Sequence, residues 1–307
     1  MLKRVTYLPN YFLPKLSMTK KLALITGANS GLGLATAKSL AHRGFDLILL
    51  VRNEKKGLVA QAELQKANPK SQIDLVIASL DDVESIKKAA DHIKATYDRL
   101  DALINNAGYT PAKLEFTDEN IEKSFYASHI GHFALTWYLA DLLKKTAAET
   151  GDVRIVTLSS AAHMGGKVSR MFRRINDLSP MYAYCDDKLA NVLFAKGAAN
   201  YFDGTGVRSF SVHPGLVKTN FSGNSTGFFK TMLSLATPFM RTPEKGAETS
   251  VFLAAAPLKS IGERNNGAYF TDLAPKAPRN SDISDKNVNW LWDKSVEKIM
   301  ATKGGHY

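Results

Sequence analysis

Tyr184 and Lys188 stand four residues apart in the string Ala183-Tyr184-Cys185-Asp186-Asp187-Lys188. On a helix that spacing puts a phenol and an ammonium on one face. A free phenol titrates at about pH 10 and handles protons poorly at neutral pH, and a neighbouring cation favours its phenolate and brings it toward working range. Alone, such a pair is more often a solvated helix face than a catalyst. A glycine-rich turn far upstream changes the weighing: Thr26-Gly27-Ala28-Asn29-Ser30-Gly31-Leu32-Gly33. Gly27 permits a tight exit from a strand, while Gly31 and Gly33 let backbone approach a pyrophosphate and let the next helix pack close. That helix offers unpaired N–H groups and the positive end of its dipole to the anion.

The elements that must hold these residues alternate along the chain. Strands are expected at 21–26, 45–51, 73–78, 102–104, 154–159 and 207–213, with a short seventh at 268–270. Helices are expected at 32–42, 54–67, 83–97, about 118–149 and 184–202. Near-continuous apolar strands between amphipathic helices indicate a parallel sheet covered on both faces. The fold class is α/β: a single Rossmann-like, doubly wound parallel sheet with helices on both faces and ligands at the carboxyl ends of the strands. Residues 1–20 read as a basic N-terminal extension, and 21–307 as one domain without a linker or internal repeat.

Bulk properties narrow the function. The 307 residues are 45% hydrophobic, enough for a sizeable core, and carry a net charge of +11. That charge suits a phosphorylated cofactor or an anionic surface, but no zinc spacing, RNP-like string or basic zipper marks a nucleic-acid module. The one cysteine, Cys185, excludes an intrachain disulfide and fits a reducing, cytoplasmic location. No apolar run approaches the roughly 18–20 residues of a spanning helix, and the N-terminal stretch lacks the apolar region of a secretory signal. Translation from Met1 and from Met18 are both open. His129, His132, His163 and His213 show no metal-ligand spacing and read as structural.

The second strand ends at Val51-Arg52-Asn53. A free ribose 2′-hydroxyl wants an acidic residue there, whereas a 2′-phosphate wants a guanidinium. Arg52 therefore favours NADP(H) over NAD(H).

These strings resemble the short-chain dehydrogenase/reductase family over about residues 20–275. The glycine turn has that family's TGxxxGxG form, Asn105-Asn106-Ala107-Gly108 its NNAG form, and Tyr184 to Lys188 its YxxxK form. His213-Pro214-Gly215, followed by Val217 and Thr219, is similar to its PG motif. The run Tyr184 to Asn191 looks most like the branch of retinol dehydrogenases and WW-domain oxidoreductases. The resemblance implies that Tyr184 exchanges a proton with the substrate oxygen. It implies that Lys188 holds the nicotinamide ribose and depresses the phenol's pKa, and that Ser160 hydrogen-bonds the substrate oxygen, with Ser159 as its rival. Asn29, Ser30, Leu32, Asn106, Ala107 and Gly108 would line the cofactor, as would Pro214, Gly215, Val217 and Thr219. Homodimers or homotetramers are common in the family.

Two positions depart from the resembled pattern. Ser128, in Ser128-His129-Ile130-Gly131-His132-Phe133, stands where an asparagine usually holds a water behind the lysine. Ser79, followed by Leu80, stands where an aspartate usually meets the adenine, so charge assistance is lost there.

On the substrate side, Ser160 and Tyr184 lie 24 residues apart, roughly twice the family's common gap. The excursion between them, with Met164, Met171, Phe172, Met181 and Tyr182, reads either as a pocket wall or as a surface excursion with a solvated basic face. Residues about 216–242 hold an apolar helical stripe that reads as a lid over an apolar carbonyl or alcohol, with surface membrane contact as a lesser use. The leading expectation is an NADP(H)-dependent oxidoreductase. The alternative is a cofactor-sensing protein with little turnover, motivated by Ser128 and Ser79; a sugar-nucleotide epimerase fits the glycine spacing less well.

Overall fold

The computed structural model describes residues 20–218 and 240–301. Eight strands form one sheet: β1 (Leu22–Thr26), β2 (Asp46–Val51), β3 (Ile73–Ile77), β4 (Ala102–Asn105), β5 (Val153–Leu158), β6 (Val207–His213), β7 (Tyr269–Thr271) and β8 (Ala274–Lys276). Their spatial order is β3-β2-β1-β4-β5-β6-β7-β8. Every pairing is parallel except β7 with β8. In β1, β2 and β5 every residue is buried, which is why these strands read as mainly apolar runs.

Ten helices flank the sheet among the described residues: α1 (Gly31–His42), α2 (Glu54–Ala67), α3 (Val83–Thr96), α4 (Lys123–Phe125), α5 (Gly131–Tyr138), α6 (Ala140–Thr150), α7 (Pro180–Tyr201), α8 (Pro243–Ala255), α9 (Leu258–Ile261) and α10 (Asp285–Ala301). One face packs on α3, α5, α6, α7 and α10, and the other on α1, α2 and α8. The strand order reverses between β1 and β4, so the cleft for a ligand opens beyond their carboxyl ends.

Four expectations change in detail. The helix carrying Tyr184 begins earlier, at Pro180, because Ser179 caps it by accepting from the Tyr182 N–H and proline suits a first helical position. The helices expected at about 118–149 start later, at Lys123, and include a π-helical turn at Tyr126–Ile130 between α4 and α5, with α6 following. β8 and α10 lie beyond the stretch that strand and helix patterns were assigned to. The excursion between Ser160 and Tyr184 divides: Met171 is buried and Phe172 meets Phe125 edge-on with ring centroids 5.2 Å apart, while Lys167, Arg173 and Arg174 are exposed. Of its apolar residues, Met164 and Tyr182 are exposed. The expected extension at 1–20, save Lys20, and the body of the expected lid lie outside the described residues.

Candidate active site

Thr26, the last residue of β1, ties the first two cofactor strings together. Its Oγ1 accepts from the Asn106 and Ala107 N–H groups, each at 2.9 Å, while Asn106 Nδ2 donates to its carbonyl at 2.7 Å. Thr26 Oγ1 also meets His132 Nε2 at 2.9 Å, and the other ring nitrogen of His132 meets the Ser128 carbonyl at 2.9 Å. Gly27 sits at φ +65°, in the left-handed region that favours glycine. A Cβ on Gly33 would strike the Gly27 carbonyl oxygen and come within 2.5 Å of Asn106 Nδ2. Asn29 and Leu32 are half-buried on this turn. Ser30 occupies the N-cap of α1 but makes no side-chain cap, and the first turn of α1 carries no acid. Uncapped N–H groups and the dipole's positive end therefore face the turn, the arrangement that holds a phosphate.

Around this turn, Arg52 is exposed just past β2 and pairs with no carboxylate among the described residues. It lies near enough to Tyr109 to act on its phenol. Ser79 donates its hydroxyl to the Asp81 carboxylate, so an acid stands two residues beyond the position where the family's aspartate is absent. Leu80 presents its backbone to Gly131, where a Cβ would meet its carbonyl.

The proton-handling groups gather at the ends of β5 and α7. The Ser160 hydroxyl hydrogen-bonds the Tyr184 hydroxyl. Ser160 Oγ also accepts from the Ala162 N–H at 3.2 Å. Its rival is occupied elsewhere: Ser159 is buried and donates to the Lys188 carbonyl at 2.7 Å. Lys188 Nζ lies 5.4 Å from the Tyr184 ring centroid and donates to the Leu158 carbonyl at 3.3 Å. Ser128 Oγ is buried without a hydrogen-bond partner among the described residues. It and Lys188 Nζ both lie within 3.5 Å of the point where a Cβ on Gly108 would sit. Ser160, Tyr184, Lys188 and Ser128 are thus brought to one side of the cleft, with Asn106, Ala107 and Gly108 beside them.

Electrostatics here run against the simple expectation. Burial pushes the Tyr184 phenol up to about 12, partly offset by the Ser160 hydrogen bond. The group that lowers it is the Ser160 hydroxyl, not Lys188. Burial lowers Lys188 to about 8, opposed by the Asp187 carboxylate.

The PG string leaves β6 into the cleft. Gly215, at φ +83°, would place a Cβ 2.8 Å from the Arg241 guanidinium carbon. Arg241 pairs with Asp272 at 2.5 Å, and its backbone bonds Leu216 and Lys218. Val217 bridges Arg241 and packs near Gly246, close to Leu32. Pro214 precedes this turn, and Thr219 lies outside the described residues. The four histidines are tied into structure: His129 meets Ser295 at 2.8 Å, His163 meets the Ser160 carbonyl at 2.6 Å, and His213 accepts from the Ala161 N–H at 3.3 Å.

Sequence reasoning missed Thr26 as a hub, Arg241 as the cover of the PG turn, and the buried carboxyls of Asp187 and Glu122. The doubled acid inside a helix otherwise rich in buried residues was the available signal for Asp187. Nothing local marks the other three.

A nicotinamide dinucleotide fits the residues present. A glycine cradle, an uncapped helix start and the buried atoms Asn106 Oδ1 and Ser128 Oγ, which have no hydrogen-bond partner among the described residues, line one cleft.

Known proteins resemble this chain in sequence and in fold. Residues 21–228 match the family profile described as short chain dehydrogenase. Retinol dehydrogenase 12 of Mus musculus is 35% identical over 285 residues, covering 91% of this chain and 86% of the relative. Retinol dehydrogenase 11 of Mus musculus is 37% identical over 282 residues, with the same shares of 91% and 86%. Among solved structures, an uncharacterized protein from Mycobacterium Paratuberculosis superposes with a TM-score of 0.69 at 28% identity, covering 91% of this chain and 93% of that one. A 3-ketoacyl-(acyl-carrier-protein) reductase from Brucella melitensis, complexed with NADH, shares the fold with a TM-score of 0.62 at 21% identity, covering 81% and 95%.

Proposed function

The chain belongs to the short-chain dehydrogenase family, and on that premise we propose that it is an NADP(H)-dependent oxidoreductase acting on an apolar carbonyl or alcohol, with Tyr184 as its proton donor and acceptor. That it is a hydride-transferring oxidoreductase follows from the family; the cofactor, substrate class and residue roles are our reading. The observation that carries it is the Ser160–Tyr184 hydroxyl pair at the end of β5, one helical turn from Lys188 and next to the phosphate turn.

Bound nicotinamide supplies or accepts the hydride. The protein's residues do the rest. Gly27, Asn29, Ser30, Gly31, Leu32 and Gly33 hold the pyrophosphate, and Arg52 meets the 2′-phosphate. Ser79 and Leu80 edge the adenine, and Asn106, Ala107 and Gly108 the adenosine side. Pro214, Gly215 and Val217 cover the nicotinamide end. The Ser160 hydroxyl orients the substrate oxygen, Lys188 fixes positive charge behind Tyr184, and Ser128 stands behind Lys188. A phenol held at about 12 stays protonated at neutral pH, which supports carbonyl reduction as the easier direction.

The names of the relatives support a retinoid-like or other lipid-like substrate. Residues 21–307 act in this reading as one domain. No helix among the described residues is long and apolar enough to cross a membrane. The single cysteine supports a cytoplasmic setting, and α7 is the expected contact for a homodimer or homotetramer. The test is loss of NADPH absorbance with a panel of aldehydes, ketones and quinones. Tyr184→Phe is expected to lower kcat by about 10²–10⁴ while retaining NADPH binding; wild-type turnover in that variant would remove the role assigned to Tyr184.

A further inference from the structure

Two carboxyls are buried beside Lys188 that this chemistry does not use. Asp187, on α7, is fully buried, and neither of its oxygens has a settled hydrogen-bond partner among the described residues. Glu122 caps α4 from the loop before it. Its Oε2 accepts from Ser124 Oγ at 2.5 Å and from the Phe125 N–H at 2.9 Å, while Oε1 is buried without a settled partner among the described residues. Ser124 bears on Asp187 as well. The Glu122 carboxylate acts on Asp187, and Asp187 acts on Lys188, so the three form one electrostatic chain.

The charges of that chain do not balance when all three groups are ionised. One cation faces two anions in a buried place, where an uncompensated charge is costly. Among the described residues, Arg173 lines the same crevice as Glu122 but is exposed, where solvent screens its charge. Asp186, next on α7, is committed to Arg170 at 2.6 Å. His132, on α5, is held neutral by burial, at about 4. Tyr109, after β4, and Tyr184 are kept protonated by burial. A single proton on the carboxyl pair restores neutrality. The pair also has an outlet, because Glu122 lines a crevice with Phe116, Phe125, Arg170, Phe172 and Leu178.

We propose that Asp187 and Glu122 share one proton at neutral pH and pass it between Lys188 and the crevice, resupplying the Tyr184 side of the site during carbonyl reduction. The step rests on the oxidoreductase reading above. Each reduction leaves one proton on the substrate oxygen, given up by Tyr184. A proton returns from the Lys188 side, Lys188 is replenished by the carboxyl of Asp187, Asp187 by Glu122, and Glu122 by water at the crevice. Protons in equal protons out, and the hydride is accounted for by the cofactor. Burial raises both carboxyls and lowers Lys188, directions that favour such sharing. The route also gives this chain a path that does not depend on Ser128, the short hydroxyl in place of the family's amide.

The first test is infrared spectroscopy of the full-length protein at pH 7. A carbonyl-stretch band of a protonated carboxyl is expected in the wild type and is expected to vanish in Asp187→Asn and in Glu122→Gln. A wild type without that band overturns the shared proton, whatever the activity. The second test is the pH dependence of kcat for reduction. Asp187→Asn moves the pair's one negative charge out to Glu122, away from the ammonium, so its alkaline limb is expected to move to lower pH; Glu122→Gln leaves Asp187 ionised beside the ammonium, so its limb is expected to move to higher pH. At pH 8 kcat is expected to fall to about one-tenth with KM little changed, less than the roughly 10²–10⁴ loss of a direct proton donor. A purely structural role would lower the melting temperature and leave the limb in place, which overturns the route. Should one variant not fold, the other carries both measurements. Absence of turnover on the whole panel would remove the oxidoreductase reading and the route with it, while the infrared band would still decide whether the carboxyls share a proton.

Discussion

Gly33→Ala puts the cofactor turn under direct strain. Its Cβ would strike the Gly27 carbonyl oxygen and lie 2.5 Å from Asn106 Nδ2, against roughly 3.5–4.0 Å for a relaxed contact. Neither neighbour is a loose side-chain end. The Gly27 carbonyl is backbone, and Asn106 Nδ2 is fixed by its bond to the Thr26 carbonyl at 2.7 Å. Forcing a methyl into such a site costs about 1–3 kcal/mol, and losing the Asn106 bond adds about 1 kcal/mol. The expected destabilisation is therefore about 2–4 kcal/mol, read as a lower urea midpoint at unchanged slope. The same displacement moves the turn away from the phosphate. One charge-assisted hydrogen bond lost there, about 1.5–3 kcal/mol, weakens NADPH binding by about 10- to 100-fold in a calorimetric titration. Gly44→Ala is the control. Gly44 is at φ +86° with nothing within 4 Å of an added methyl, so its cost is confined to backbone conformation and NADPH affinity stays at the wild-type value. A Gly33→Ala protein with wild-type urea midpoint and wild-type affinity would refute the close-approach argument.

Two further outcomes follow from the site. Arg52→Ala is expected to weaken NADPH binding by about 10- to 100-fold and leave NADH binding unchanged, since only the 2′-phosphate meets the guanidinium; equal losses for both cofactors in calorimetry would show that Arg52 does not read that group. Acid probes the buried histidines: burial holds His129 at about 3 and His132 and His213 each at about 4. Below about pH 6.5 the unfolded chain takes up protons that the native chain refuses, so their contribution is present above that pH and is lost as pH falls, by about 1–2 kcal/mol each at pH 5. The raised carboxyls of Glu122, Asp186 and Asp187 oppose this. The urea midpoint should depend less on pH between 7 and 5 in His129→Gln than in the wild type; an unchanged dependence contradicts the histidine assignment.

The fold was readable because its central strands are buried on both faces. β2 and β5 leave no polar face to confuse the pattern, and helix starts such as Asn53, which accepts from the Lys56 N–H, declare themselves locally. The break in the helix around Ser128 was not readable. Tyr126 to Ile130 carry ordinary helix formers, and the π turn arises where the chain packs against α4, α7 and α10. Ser159 and Ser160 could not be separated by sequence either, since two adjacent hydroxyls leave a strand in opposite directions. The structure sends Ser159 to the Lys188 carbonyl and Ser160 to Tyr184.

The sequence by itself determined which chemical groups this protein brings to its site. Glycine spacing, a strand-end arginine and a phenol four residues from an amine are local facts, fixed by backbone geometry over one or two turns. Tertiary structure alone decided their electrostatic state: which hydroxyl meets Tyr184, how far burial moves its phenol, and that Glu122, Asp187 and Lys188 are all buried. Desolvation depends on what covers a side chain, and here the cover comes from segments distant in the chain.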